Sequence, residues 1–417
     1  MNMTEPVSVP RTKGKTLTGA ATVPFVCLVI FTVITVTARF SGAWIAMSLA
    51  LVGVLFSRDK IRFPPAFWWG VALLGWALIS SFIAMSPDLA FTTLEERLKV
   101  MLIFLVVMNA IRTERQLWIY LAIYIGSFML YPARGTLLNF AHGITTNYRV
   151  SWNYIYNNPN DDAAMAILAT GVALSIAMAT VRSKKVRQAA FGCAAIFALV
   201  VLVTESRGAV IGLVVGMGPP LVRTLKRRSV FVYAAVVIVV GLSVLPHRFW
   251  VRMSGLKDLT SVSTIRKADQ SGSAEQRWQI QKTAMKIFID HPIFGVGLGC
   301  YPLANAKYRP DLGPRDAHNT YLRLAAEIGL PGLLIWGALV VSIMRQVKRA
   351  ERGTSRLRTV NPLWLKYGLF AFLIEGIFGS YSDLTVLYLV LGTMWAAATM
   401  MLSEAEPRQP ARSVRVY

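Results

Sequence analysis

The chain has 417 residues, 55% of them hydrophobic and only 16% charged, with a mean hydropathy of +0.50. Its apolar residues fall in unbroken runs of about 16–22, the length of a membrane span, which excludes an ordinary soluble enzyme. Lys and Arg outnumber Asp and Glu 44 to 21, a formal +23; in a membrane protein that excess reports orientation first, and no nucleic acid is expected as a partner.

Twelve runs predict twelve transmembrane helices, at about 19–38, 40–56, 66–85, 94–111, 117–138, 162–181, 189–205, 207–222, 230–246, 327–344, 364–381 and 384–402. The first follows Arg11, Lys13 and Lys15 as a signal peptide would. No small-residue cleavage site comes after it and a second run begins at once, so it is expected to be a retained helix. Only the short "TESRG" separates the seventh run from the eighth. Gly218–Pro219–Pro220 is expected to break the eighth near its end.

The basic residues orient the bundle. With the N-terminus inside, the inner segments "RTKGK", "RDKIR", "RTER", "RSKKVR", "RTLKRR", "RQVKRAERGTSRLR" and "RQPARSVR" carry 25 Lys and Arg. The short outer loops hold only Arg39, Arg97, Lys99, Arg134, Arg149 and Arg207. Both termini are therefore expected in the cytoplasm. This gives an inner tail 1–18, helices over 19–246, a large outer loop 247–326, helices over 327–402 and a polar, disordered tail 403–417. A medium outer loop spans about 139–161.

The large loop carries 12 basic and 6 acidic residues. Within it, "SGSAEQRWQIQKTAMKIFIDHPIFGVGLGCY" predicts a helix opened by a Ser273/Gln276 capping box, striped by Trp278, Ile280, Ala284, Ile287 and Phe288 and stopped by Pro292. Arg277 then stands in the first turn, where a cation is unfavourable unless an anion such as phosphate is near. "GVGLG" lacks the strand–helix context of a dinucleotide site, so its glycines are expected to make a tight turn. A second helix follows His318, with Leu322, Leu324, Ala325 and Ile328 on one face, before Gly329 and Pro331 bend the chain into the tenth span.

His318 suits a general base, since an imidazole near its ordinary pKa of about 6.5 accepts a proton at neutral pH; His318 or Asp316 would equally serve as a helix cap. Arg207 interrupts an apolar run, a costly position that points to function, with pairing to Glu205 or snorkelling as the alternative. Asp162, beside Asp161 in "NNPNDDAA", fits a helix cap better than catalysis. Asp383 in "YSD" either caps the twelfth helix or faces a substrate. Arg134 and Arg149, with Tyr148, Trp152 and Tyr156, make the medium loop basic and aromatic, as an interfacial belt does.

Other chemistries lack their signatures. His142, His247, His291 and His318 have no metal-ligand spacing, and Cys27, Cys193 and Cys300 are too few and scattered for a disulfide or metal framework. No G-x-S-x-G is present. Neither metal nor cofactor is expected. Arginines and a base on one face of a bundle suit a lipid-linked sugar pyrophosphate, whose tail lies in the bilayer and whose phosphates sit at the interface.

"SRGAVIGL" (206–213), "RWQIQKTAMKIFIDHPIFGVGLGCY" (277–301) and "HNTYLRLAAEIGLPGLLIW" (318–336) resemble, in order, the three motif blocks of the O-antigen ligase and polymerase superfamily. The resemblance implies an all-α bacterial inner-membrane protein like the GT-C-type glycosyltransferases, its active site facing the periplasm. It also implies metal-independent, inverting transfer of a glycan from undecaprenyl pyrophosphate to a hydroxyl of lipid A–core, amid membrane lipids. By the same resemblance Arg207, Arg277 and His318 are the catalytic set, and Asn319, Tyr321, Asp162 and Asp383 fall in or near family motifs as substrate-binding candidates; Arg134 and Arg149 are added as candidates from the basic character of the medium loop, the first half being family-like mainly in hydropathy. O-antigen polymerase and protein O-oligosaccharyltransferase share these motifs, and a lipid-linked oligosaccharide flippase is the alternative from another class. A single dominant outer loop favours the ligase.

Overall fold

The computed structural model describes residues 22–38, 40–146, 148–152, 154–155, 158–180, 183–224, 273–353 and 356–405, with a few positions between 231 and 250. Among them every regular element is a helix: α1 (Val23–Thr37), α2 (Ala43–Leu55), α3 (Pro65–Phe82), α4 (Pro87–Ala110), α5 (Glu114–Phe128), α6 (Arg134–Ala141), α7 (Pro159–Ala177), α8 (Lys184–Val203), α9 (Arg207–Thr224), α10 (Ser273–Asp290), α11 (Tyr301–Tyr308), α12 (Thr320–Arg352), α13 (Pro362–Glu375) and α14 (Thr385–Ala405). A helix suits apolar chain in a bilayer because it satisfies every interior backbone donor and acceptor locally. Proline at the first positions of α3, α4, α7 and α13 costs no hydrogen bond there and pre-sets the backbone.

Five described helices are long and apolar enough to cross a membrane: Pro65–Phe82, Glu114–Ala141, Lys184–Val203, Thr320–Arg352 and Thr385–Ser403. The second of these is α5 and α6 joined through a wide π turn, Met129–Ala133. The ninth expected span, 230–246, and the loop before Ser273 lie largely outside the described residues.

α7 and α14 form the middle of the bundle. In α7 only Asp161 escapes full burial, and its Ala- and Gly-rich sequence lets neighbours approach closely. A Cβ on Gly171 would stand 2.7 Å from the Cα of Gly368 on α13, and one on Gly216 of α9 would stand 2.5 Å from the Cα of Ala371. Small residues are what allow such contact where the solvent is lipid and backbone proximity has to supply the attraction.

Four expectations need correction. The eleventh run stops as a helix at Glu375, and residues 376–384 fold as turns, where Tyr381, Ser382 and Asp383 find partners on other elements. Pro219 and Pro220 do not end α9; near its C-terminus they remove few intrahelical bonds, so the helix runs on to Thr224. Arg97 is no outer-loop residue: it sits on α4, 7% exposed. The boundary placed between 326 and 327 falls inside α12, just before its kink at Ile328 and Gly329, across which the second loop helix joins the tenth run.

Candidate active site

The site is built on a bend in α12. Ile328 (φ −130°, ψ 16°) and Gly329 (φ 69°, ψ −177°) leave helical geometry, as Gly329 and Pro331 imply, and the carbonyls freed there are collected by side chains. The Trp76 indole of α3 donates to Ile328 O at 2.8 Å. The glycine turn docks onto the same bend: Val296 N donates to Ala326 O and Gly297 N to Glu327 O, both at 2.9 Å, while Leu330 N donates to Pro292 O. Gly295 and Gly297 have φ of +69° and +105°, and a Cβ on Gly295 would lie 2.3 Å from the Glu327 carbonyl carbon. These glycines therefore serve backbone contact, and their N–H groups are occupied rather than free to cradle phosphate.

α12 starts just beyond His318. Asn319 is its N-cap, the side-chain oxygen accepting from Tyr321 N and Leu322 N at 3.0 Å. Thr320 N donates to Gly376 O at 2.7 Å and Thr320 Oγ1 to Gly379 O at 2.7 Å, which fastens the start of α12 to the turns after α13. His318 itself has φ +48°, an uncommon value for a non-glycine residue and one found where function holds strain. Its Nδ1 stands 3.7 Å from Asp316 Oδ2, and its N–H donates to the same oxygen at 3.1 Å. Burial first, and then the positive charge of Arg277, push the imidazole pKa below the usual histidine value, with Asp316 opposing. That shift favours the neutral ring, the form able to accept a proton.

Glu375, fully buried at the end of α13, sits where the other elements meet. Its Oε1 accepts from Ser206 Oγ and Tyr381 OH, each at 3.3 Å. A Cβ on Gly208 would lie 2.2 Å from its Oε2. Arg207 is therefore flanked on both sides by residues packed against this carboxylate. Arg277 and Arg149 are both close enough to act on Glu375 electrostatically. Arg149 is buried, its Nε donating to Thr204 O at 3.0 Å and its Nη2 to Asn160 Oδ1 at 2.9 Å; Ser206 Oγ donates to that same oxygen. The medium loop, α7, the α8–α9 turn and α13 are tied together there.

A second charge cluster lies beside His318. Arg323, one turn into α12, donates from Nε to Glu327 Oε1 at 3.0 Å and stands 3.6 Å from both Asp316 Oδ1 and Asp383 Oδ2. Arg97 reaches Asp383 Oδ2 at 3.7 Å and Ser382 Oγ at 3.3 Å. Burial raises the Asp383 carboxyl, but Arg97 and Arg323 outweigh it and hold the pKa below the ordinary carboxylate range. Among the described residues, no three His, Cys, Asp or Glu side chains converge as a metal would need.

Residues 192–337 match the family model described as O-Antigen ligase. Over that segment the chain is similar to the O-antigen ligase family, in line with the resemblance of its three motif blocks. No curated protein matches the sequence. The matched segment contains all three motif blocks, so Arg207, Arg277 and His318 lie within it, whereas Arg134, Arg149, Asp162 and Asp383 lie outside.

The fold gathers some of the sequence-predicted residues and gives others ordinary structural partners. His318, Arg277, Arg149 and Asp383 converge, with Arg207 at the same junction. Asn319 is occupied as a cap, and Tyr321 OH donates to Leu373 O at 2.6 Å. Asp162 accepts from Thr136 Oγ1 at 2.5 Å and from Trp152 N at 3.2 Å, a lock between α6, the medium loop and α7 in place of the cap role expected for it. Arg134 is exposed on the first turn of α6. Sequence reading missed Arg323, Glu327 and Glu375. An Arg and a Glu four apart on a helix, and a lone Glu inside "FAFLIEGIFG", were the available signals, since charge within an apolar run is costly unless used.

Proposed function

We propose that the chain is an inner-membrane O-antigen ligase, with twelve spans, both termini in the cytoplasm and this site facing the periplasm. It transfers a glycan from undecaprenyl pyrophosphate to a hydroxyl of lipid A–core. The observation that carries the reading is that Arg277 lies within electrostatic reach of both His318 and Glu375, at the junction where the Arg207 turn packs on Glu375.

In this reading the donor's pyrophosphate lies against Arg207 and Arg277, whose planar forks match phosphate oxygens and stay charged at any relevant pH. The acceptor hydroxyl gives its proton to His318 Nε2, the ring nitrogen not turned towards Asp316. Its oxygen attacks the anomeric carbon from the face opposite the pyrophosphate, and the glycosidic C–O bond to phosphate breaks with inversion. Undecaprenyl pyrophosphate leaves with the bonding electrons, its growing charge met by the arginines. General-base catalysis contributes typically ~10²–10⁴ in rate. Asp316 orients the imidazole and stabilises the imidazolium that forms.

The test is transfer by purified protein in liposomes, given undecaprenyl-pyrophosphate glycan with and without lipid A–core, alongside His318→Ala. Core-linked glycan that disappears in the variant supports the reading. Longer undecaprenyl-linked chains without use of the core would make the protein a polymerase, and absence of any covalent product would point to transport.

A further inference from the structure

The C-terminal end of α10 borders a cavity of about 620 Å³ on the flank of the site. Its lining includes Ile83 and Met85 from the α3–α4 turn, Lys286 and His291 at the end of α10, and Lys307 and Tyr308 of α11. Lys286 Nζ stands 5.7 Å from the centre of the Tyr308 ring, and Tyr308 OH lies 3.4 Å from His291 Nε2. Asp290 is the acidic neighbour, and its carboxylate is hydrogen-bonded to the Tyr308 hydroxyl. The cavity thus offers two ammonium groups, a phenol and an imidazole against a single carboxylate.

Ile83 lines the cavity, and residues close to its lining in sequence are apolar and uncovered. Phe82 is 67% exposed, Ile83 58%, Ile289 65% and Ile293 56%. α10 shows two apolar faces. Ile280, Ala284 and Ile287 are buried, while Trp278, Met285 and Ile289, on the opposite side at 100° per residue, are exposed. Lys282 lies over the Trp278 ring, 5.3 Å from its centre. An outward apolar stripe edged by lysines is the pattern of a helix resting in the membrane interface, the stems lying along apolar surface and the heads reaching phosphate depth.

We propose that this cavity binds the phosphate of an anionic membrane lipid. Lys286 and Lys307 hold the phosphate, and the acyl chains run past Ile83 towards the exposed Phe82 and Ile289. A free anion would satisfy the lysines and leave that apolar rim bare, whereas a lipid covers both. The site lies apart from His318 and does not depend on which reaction occurs there.

The test is native mass spectrometry of the full chain in nonionic detergent, titrated with phosphatidylglycerol or phosphatidylcholine of identical acyl chains. Wild type is expected to retain one phosphatidylglycerol that phosphatidylcholine does not replace. Lys286→Gln/Lys307→Gln is expected to bind it about thirty-fold more weakly, from about 1 kcal/mol per lysine near a charged lipid surface. Lys286→Arg/Lys307→Arg should keep the affinity, and the Gln variant should keep the wild-type unfolding midpoint. Equal retention of both lipids by wild type, or undiminished affinity in a folded Gln variant, overturns the proposal. Displacement of the lipid by millimolar inorganic phosphate would reassign the cavity to a free anion and overturn the lipid assignment.

Discussion

Replacing Arg323 by leucine removes the one described cation bonded to Glu327. The Glu327 side chain is 0% exposed; Oε1 accepts from Arg323 at 3.0 Å, and Oε2 has no hydrogen-bond partner among the described residues. Asp316 and Asp383, 3.6 Å from the same guanidinium, are each 37% exposed, so solvent screens those pairs and each contributes at most about 1 kcal/mol. The buried pair therefore dominates. Removing one partner of a buried pair costs about 3–5 kcal/mol, because the other charge is stranded, whereas replacing both with apolar groups is often neutral or stabilising. Arg323→Leu is expected to destabilise by about 3–5 kcal/mol, and Arg323→Leu/Glu327→Leu to recover most of that, keeping a deficit of about 1–2 kcal/mol from Asp316 and Asp383. Reversible unfolding in mixed micelles of rising dodecyl sulfate fraction measures all three legs of the cycle. A double variant as unstable as the sum of the two singles would refute the assignment of Arg323 as the Glu327 counter-ion.

His318→Ala should lower transfer by about 10²–10⁴-fold while donor binding persists, whereas Arg207→Ala and Arg277→Ala should weaken donor binding and cost about 3–4 kcal/mol in turnover; single-turnover assays with binding measured separately distinguish the two. Because the His318 pKa is depressed, the acid limb of the rate profile should fall below the ordinary histidine value, activity being present above that pKa and lost as pH drops through it. Arg277→Gln should move the limb upward and Asp316→Asn downward, read from kcat/KM against pH. Gly329→Ala should prevent stable folding, since its φ of +69° disfavours a side chain and the new Cβ would lie 1.9 Å from Ile293 O; thermal unfolding of the variant checks this. Transfer should be equal with and without a chelator of divalent cations, and strict dependence on such a cation would sink the arginine-for-metal argument.

Most of the described helices, the bend at Gly329 and Pro331, the start of α10 at Ser273 and the three motif blocks were legible in the sequence, because each depends on neighbours within about a turn of chain. A bilayer sharpens that legibility, since backbone polar groups there have to be satisfied locally. Side-chain charge obeys no such rule. Arg97 meets Ser382 and Asp383 from some 285 residues away, and Ser206 meets Glu375 across 169. Thr320 holds the turn at Gly379 through a single hydroxyl. A buried carboxylate demands a partner without specifying where in the chain it comes from. The sequence by itself therefore determined most of the described helices and named the arginines and the histidine; only tertiary packing decided that Arg149 and Arg277 would lie near Glu375, that Arg323 would stand between Asp316 and Asp383, and that Asn319, Tyr321 and Asp162 would be spent on holding the frame.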